Sequence, residues 1–281
     1  MKKIFTLIAV AMMAVGTHAQ TKVVFSATET YSDSQVITSG QTKLTLGNDQ
    51  NPGTWKKGQS SMDAENNAYL ADFFQTVTTD DGEKNGYVAI NGGNNPKDKT
   101  GKNAGSGFNA AEGKTTGNLP QSGTYFILNT TEAGLFKVGI VLNADKPFYL
   151  VDATNAAPDE TETYLQVALP ESNLKNYVAK NGAGDKVEFA DASDEKGGMS
   201  VSEKFVGVIE FQAEANHTYY YFCTGSKLGC FGYTFTPGNS GISSLKNDVK
   251  DYAEIFNLAG QKVNAGFKGI AIKNGKKVVL K

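Results

Sequence analysis

Between Lys22 and Thr236 the chain alternates apolar and polar residues with a period of two, and Gly, Asn and Asp punctuate the alternation before any long amphipathic helix can form. Successive side chains of a strand point to opposite faces, so this pattern describes strands with one wet and one dry side. Twelve segments read this way, among them Lys22–Thr28, Thr42–Gly47, Tyr87–Asn91, Thr124–Asn129, Leu135–Asn143, Lys146–Asp152, Lys204–Ala213, His217–Thr224 and Cys230–Thr236. Asn66–Val77 and Glu171–Lys180 read as short helices, the second with Ser172 as its cap. Turn spacing and the lack of alternating helices favour antiparallel over βαβ pairing. The expected fold is all-β: an antiparallel sandwich with jelly-roll winding and a small C-terminal β tail.

The first residues set the compartment. Lys2 and Lys3 precede the apolar stretch Ile4 to Val15, and Thr17-His18-Ala19 supplies a small-x-small ending. This is the layout of an export leader cut between Ala19 and Gln20, so residues 1–19 are a signal peptide outside the fold. No later apolar run is long enough to span a bilayer as a helix. With 40% hydrophobic residues and only seven prolines, neither collagen nor a wholly disordered chain fits. All 27 basic residues are lysines against 29 acids. A nucleic-acid binder normally shows a basic surplus and arginines for bidentate contacts, so nucleic acid is excluded as a partner.

The sandwich is expected over 20–237, a linker over 238–250 at Pro237-Gly238-Asn239-Ser240-Gly241, and a β tail over 251–281. Inside the sandwich, residues 91–118 carry seven glycines and six asparagines with few apolar side chains, which predicts a long surface loop, either decorative or ligand-contacting. Cys223 and Cys230 flank Thr-Gly-Ser-Lys-Leu-Gly. If Ser226-Lys227 is a hairpin tip the two face each other, and two readings stand: a cross-strand disulfide, or two small buried thiols.

The chemistry inventory weighs against an enzyme. One histidine, His217, remains after the leader, which excludes a His-rich zinc site. It opens an aromatic strand and reads as a strand-end residue. No Gly-x-Ser-x-Gly elbow occurs, and Glu112-Gly113-Lys114-Thr115 fails as a phosphate loop because Phe108 stands where that motif needs glycine. Glycoside hydrolysis needs only two carboxylates, and three acidic clusters exist: Asp80-Asp81-Gly82-Glu83, Asp159-Glu160-Thr161-Glu162 and Asp191-Ala192-Ser193-Asp194-Glu195. Their turn-rich context reads as solvated loop charge. No cofactor is called for, and a structural calcium assembled from separated loops stays open. A sugar site needs a flat aromatic face. Trp55, in a turn-rich segment, is the candidate ligand-binding residue, with capping of the core as its alternative and favoured reading, while Tyr219, Tyr220 and Tyr221 alternate across one strand and default to packing.

Two resemblances extend this reading. Ile255-Phe256-Asn257-Leu258-Ala259-Gly260-Gln261-Lys262-Val263, Lys268-Gly269-Ile270-Ala271-Ile272 and Asn274-Gly275-Lys276-Lys277-Val278-Val279-Leu280-Lys281 resemble a short form of the C-terminal sorting domains of type IX secretion cargo. That resemblance implies export machinery as a partner, passage across the outer membrane and cell-surface attachment or release. Gly123 to Leu128, Gly134 to Val138, Lys146 to Val151 and Asn216 to Phe222 with Gly225 to Gly229 are similar to galactose-binding-like β-sandwich modules appended to exported polysaccharide-degrading enzymes. The implied role is polysaccharide or glycan binding. The sequence thus predicts a secreted or cell-surface, non-catalytic carbohydrate-binding or surface-associated module. Its alternatives are a polysaccharide-degrading enzyme using a carboxylate pair and a structural or adhesive surface protein.

Overall fold

The computed structural model describes residues 20–50, 55–105, 116–158, 165–168, 174, 176–191 and 198–238, and near the C-terminus 255–257, 262–263, 269–273 and 276–280. The leader, the phosphate-loop-like stretch at 112–115, the acidic cluster at 159–162 and residues 192–195 of the third cluster lie outside the described residues. Contacts divide the chain into two units, 1–238 and 239–281. The second unit holds a four-stranded antiparallel sheet ordered Lys262–Val263, Ile255–Asn257, Gly269–Lys273, Lys276–Leu280.

Ten strands carry the first unit: β1 (Thr21–Val24), β2 (Thr42–Leu46), β3 (Gly82–Asn91), β4 (Tyr125–Thr130), β5 (Gly134–Leu142), β6 (Phe148–Asp152), β7 (Val178–Asn181), β8 (Phe205–Ala213), β9 (Thr218–Cys223) and β10 (Gly229–Pro237). The first sheet runs Lys186–Val187, β7, β8, β5, β10, β3, Lys56–Ser61, with β1 also on β10 and Gln75–Thr79 on β3. The second runs Ala190–Asp191, Met199–Ser200, β6, β9, β4, β2, Val36–Ser39. Every strand pairing among the described residues is antiparallel. β3 pairs with β10, inside them β4 with β9, and inside those β5 with β8. These nested pairs alternate between the two sheets, which is how a jelly roll winds.

The two sheets pack face to face through one core containing Phe126, Leu128, Phe136, Ile140, Leu150, Ile209, Tyr219, Tyr221 and Tyr233. Contacts across the layers fix their register. The Tyr219 ring of β9 meets Phe211 of β8 edge-on at 5.1 Å, and the Thr42 and Tyr233 hydroxyls are 2.6 Å apart. A bulge between Cys230 and Gly232 lets β10 pair with β3 on one side of it and β1 on the other. Gly232 has φ +133, and a Cβ there would stand 2.2 Å from the Val23 carbonyl oxygen, so glycine is required at this turn of the strand.

Both outer faces are partly covered. On the first sheet a 3₁₀ turn, Ala68–Phe73, packs Leu70 and Phe73 against Tyr87, Val208 and Phe231. This replaces the longer helix expected over Asn66–Val77. On the second sheet Ala104 and Leu119 pack against Tyr149, Val151 and Phe222. The 91–118 stretch is therefore not merely a surface loop where it is described. It has few apolar side chains, but buried carboxylates organise it: Asp98 Oδ1 accepts from the Thr100 N–H and hydroxyl and the Lys102 N–H, and Asp49 accepts from the Gly93 and Asn94 N–H groups. Of the helix expected over Glu171–Lys180, the C-terminal part is corrected, since Val178–Asn181 is β7, held against β8, while residues 171–173, with the expected cap Ser172, and 175 lie outside the described residues.

Of the two readings open for Cys223 and Cys230, the structure has the buried thiols. Cys223 ends β9 opposite Phe148 in the second sheet, whereas Cys230 pairs with Ile140 in the first. The segment between them crosses from one layer to the other instead of closing a hairpin. Both are buried free thiols, and burial pushes each up to about 12.

Candidate functional site

The alternation of β9 decides which tyrosines are available. Tyr219 and Tyr221 point inward and are 1% exposed; Tyr220 points outward and is half-buried. Its ring stacks on Tyr125 of β4 at 5.9 Å with planes 10° apart. Across the sheet the residues level with it are Ile127, Thr45 and Val36, and on its other side Val151. Val36 is the large apolar side chain most open to water among the described residues, at 54%, whereas Val151 is fully covered. The result is a ledge, open at the edge strand and closed at Val151, which clusters with Ala104 and Leu119. Strands lie about 4.7–4.9 Å apart, so Val36 to Tyr220 spans roughly 14 Å.

A polar row runs beside the apolar one. Thr38, Lys43, Asn129 and Thr218 are cross-strand partners, and the Asn129 amide donates to the Thr218 hydroxyl at 2.6 Å. Burial raises the Tyr220 hydroxyl above the ordinary tyrosine range, so it remains a neutral donor at physiological pH. An aromatic face, two aliphatic side chains and a parallel line of amide, hydroxyl and ammonium groups can hold a flat, hydroxyl-rich chain.

Trp55 does not join this surface. It is 6% exposed, its indole N–H donates to Asp33 at 2.8 Å, and its ring meets Phe126 edge-on in the core. A buried indole offers no free face, which removes Trp55 as a sugar-stacking residue.

His217 follows Asn216, whose φ of +63 marks the turn into β9. Its Nδ1 lies 2.6 Å from Asp152 and its Nε2 3.4 Å from Glu214. With a carboxylate on each ring nitrogen, the imidazole ties the turn to β6. The carboxylates that converge are thus Asp152 and Glu214, a pair that the sequence clusters did not include. Asp81 of the first cluster bonds Lys84 at the surface, and Asp191 is exposed on an edge strand. Among the described residues no group of three or more His, Cys, Asp or Glu side chains is arranged to hold a metal ion.

A further polar group lies on the outer face of the first sheet. The Tyr69 hydroxyl donates to Glu210, Lys180 bonds both, and Lys137 sits 3.8 Å over the Tyr69 ring while facing Asp72 at 3.8 Å. Each lysine has its own carboxylate, so the group clamps the 3₁₀ turn onto β5, β7 and β8. Comparison with protein-family models gives no match, and comparison with curated proteins gives none either.

Proposed function

We propose that the protein is an exported, non-catalytic carbohydrate-binding module of the galactose-binding-like kind, working outside the cell or at its surface. Its glycan lies across the ledge on the second sheet, with sugar rings against Tyr220 and Ile127 and their hydroxyls toward Asn129, Thr218 and Lys43. The observation that carries this reading is the outward Tyr220, stacked on Tyr125 at the foot of an open apolar row. The C-terminal β unit acts as a short type IX sorting tail in the same proposal. N-terminal sequencing of the secreted protein should then begin at Gln20, and deletion of 251–281 should leave the protein in the periplasm.

The binding test is depletion from solution by insoluble polysaccharides, together with a glycan array. Tyr220→Ala should lose binding about tenfold, about 1.4 kcal/mol, the upper part of what a packed aromatic face contributes. Tyr219→Phe, which alters an inward ring, should bind as the wild type does. No ligand across broad glycan classes, or full binding by Tyr220→Ala, would reject the proposal. Release of reducing ends would replace it with an enzyme, and glycan-independent capture of a host protein would replace it with an adhesin.

A further inference from the structure

At the edge opposite β2 the chain passes between layers within a few residues: Lys186–Val187 belongs to the first sheet and Ala190–Asp191 to the second. A cleft of about 280 Å³ opens there, walled by Tyr177, Ala179, Val187, Phe189 and Met199. The Phe189 ring meets Tyr177, Phe148 and Phe205 edge-on at 5.9, 6.4 and 5.2 Å. Lys186 and Glu188 form an exposed ion pair at 2.6 Å on the rim.

Among these apolar groups stands one polar atom without a partner. Tyr177 is 9% exposed, and its hydroxyl makes no hydrogen bond among the described residues. Burial keeps it protonated far above the ordinary tyrosine range, so it remains a donor at every physiological pH. Native interiors leave few such groups unpaired, since an unpaired buried hydroxyl loses its water and gains nothing. Phenylalanine would fill the same space without that loss. Water does not reach the hydroxyl. The half-buried Phe189 and Met199 line the cleft beside Tyr177.

We infer that this cleft is a binding site, separate from the glycan ledge, for a small uncharged one-ring molecule carrying a single hydrogen-bonding oxygen, which turns Phe189 or Met199 aside and is recognised by the Tyr177 hydroxyl. The volume lies just below the usual range of ligand pockets, roughly 300–1,000 Å³, which suits one ring better than a chain. The rim charges of Lys186 and Glu188 neutralise each other and the inner side chains Ala179, Val187, Phe189 and Met199 are apolar, so an ionised ligand would lose its hydration uncompensated.

The test uses p-cresol, toluene and 4-methylbenzoate as probes and the Met199 methyl resonance as reporter, assigned by its loss in Met199→Leu. p-Cresol should shift that resonance saturably and bind roughly three- to tenfold tighter than toluene, the factor of one hydrogen bond. 4-Methylbenzoate should leave it unmoved. Tyr177→Phe should bind p-cresol and toluene alike, while melting above the wild type. Tyr220→Ala should bind p-cresol normally, so failure of the glycan proposal leaves this one standing. Equal affinity of the wild type for p-cresol and toluene, or no saturable shift with either, would overturn the inference.

Discussion

Replacing Gly139 with alanine probes the packing on the outer face of the first sheet. A Cβ at this position in β5 would lie 2.1 Å from Cε2 and 2.3 Å from Cδ2 of Phe231. Carbon atoms rest at about 3.5–4.0 Å, so the ring would have to retreat by more than an ångström. It has no room to do so, because Phe231 is fully buried against Phe73 at 5.1 Å and Tyr87 at 4.7 Å. Overpacking of this kind costs about 1–3 kcal/mol, and the close approach places Gly139→Ala toward the upper end. Alanine recovers about 0.5–1 kcal/mol of backbone entropy in a strand, leaving a net loss of about 2 kcal/mol. In a domain of this size that lowers the melting temperature by about 4–8 °C. Urea unfolding followed by circular dichroism should show the lower midpoint at unchanged slope. Gly58→Ala is the control: its nearest neighbour would be the Ala89 oxygen at 3.8 Å, so it should be neutral or slightly stabilising. Adding Phe231→Leu to Gly139→Ala should restore part of the loss that the two changes predict separately. A Gly139→Ala protein as stable as the wild type would refute the placement of Phe231 over β5.

Other outcomes follow from the same structure. Asp98→Ala removes the acceptor of three bonds at Oδ1 and of the Asn118 amide at Oδ2, and should cost about 2–4 kcal/mol; a lysine-specific protease should then cut at Lys97, Lys99 or Lys102 before the rest of the domain opens. Cys223 and Cys230 should resist iodoacetamide in the native protein at pH 8 and both react in urea, with no mass deficit from a disulfide, whereas a native mass two hydrogens short would contradict their placement in opposite sheets. Both thiols have folded values raised from 9.0 to about 12, so their contribution to stability is complete below pH 9 and is lost as pH rises through about 12. Tyr125, Tyr219 and Tyr233, raised from 10.0 to about 12, add to the same alkaline loss; a denaturation midpoint that does not change between pH 8.5 and 11.5 would argue against their burial.

The strands most legible in the sequence are those that divide a core from a covered face. Lys204–Ala213 and Leu135–Asn143 were readable because every second residue is apolar, and they are β8 and β5. The strand Lys56–Ser61 escaped notice because KKGQSS is an edge strand with mostly exposed side chains and has no dry side to reveal. Period two also shows that Tyr220 opposes Tyr219 and Tyr221, but which of the two faces meets the core depends on the second sheet, a tertiary fact. The Cys223–Cys230 segment misled for a related reason. Gly225, with φ +73, permits a reversal, and nothing local distinguishes a hairpin from a crossing between layers. Trp55 looked like loop from its neighbours, yet Asp33 and Phe126, distant in sequence, draw it inward. The Tyr177 cleft was invisible, because its walls come from β7, the layer crossing and the Met199 strand together.

The crossing between Cys223 and Cys230 is the point on which the two-layer sandwich depends, and nuclear Overhauser spectroscopy reads it directly. Ring protons of Tyr219 should show cross-peaks to Phe211, and the Thr42 methyl to Tyr233, as side chains facing each other across two layers must. A strong cross-peak between the α-protons of Cys223 and Cys230, with those ring contacts missing, would mean that β9 and β10 form one hairpin and that the two-layer arrangement is wrong.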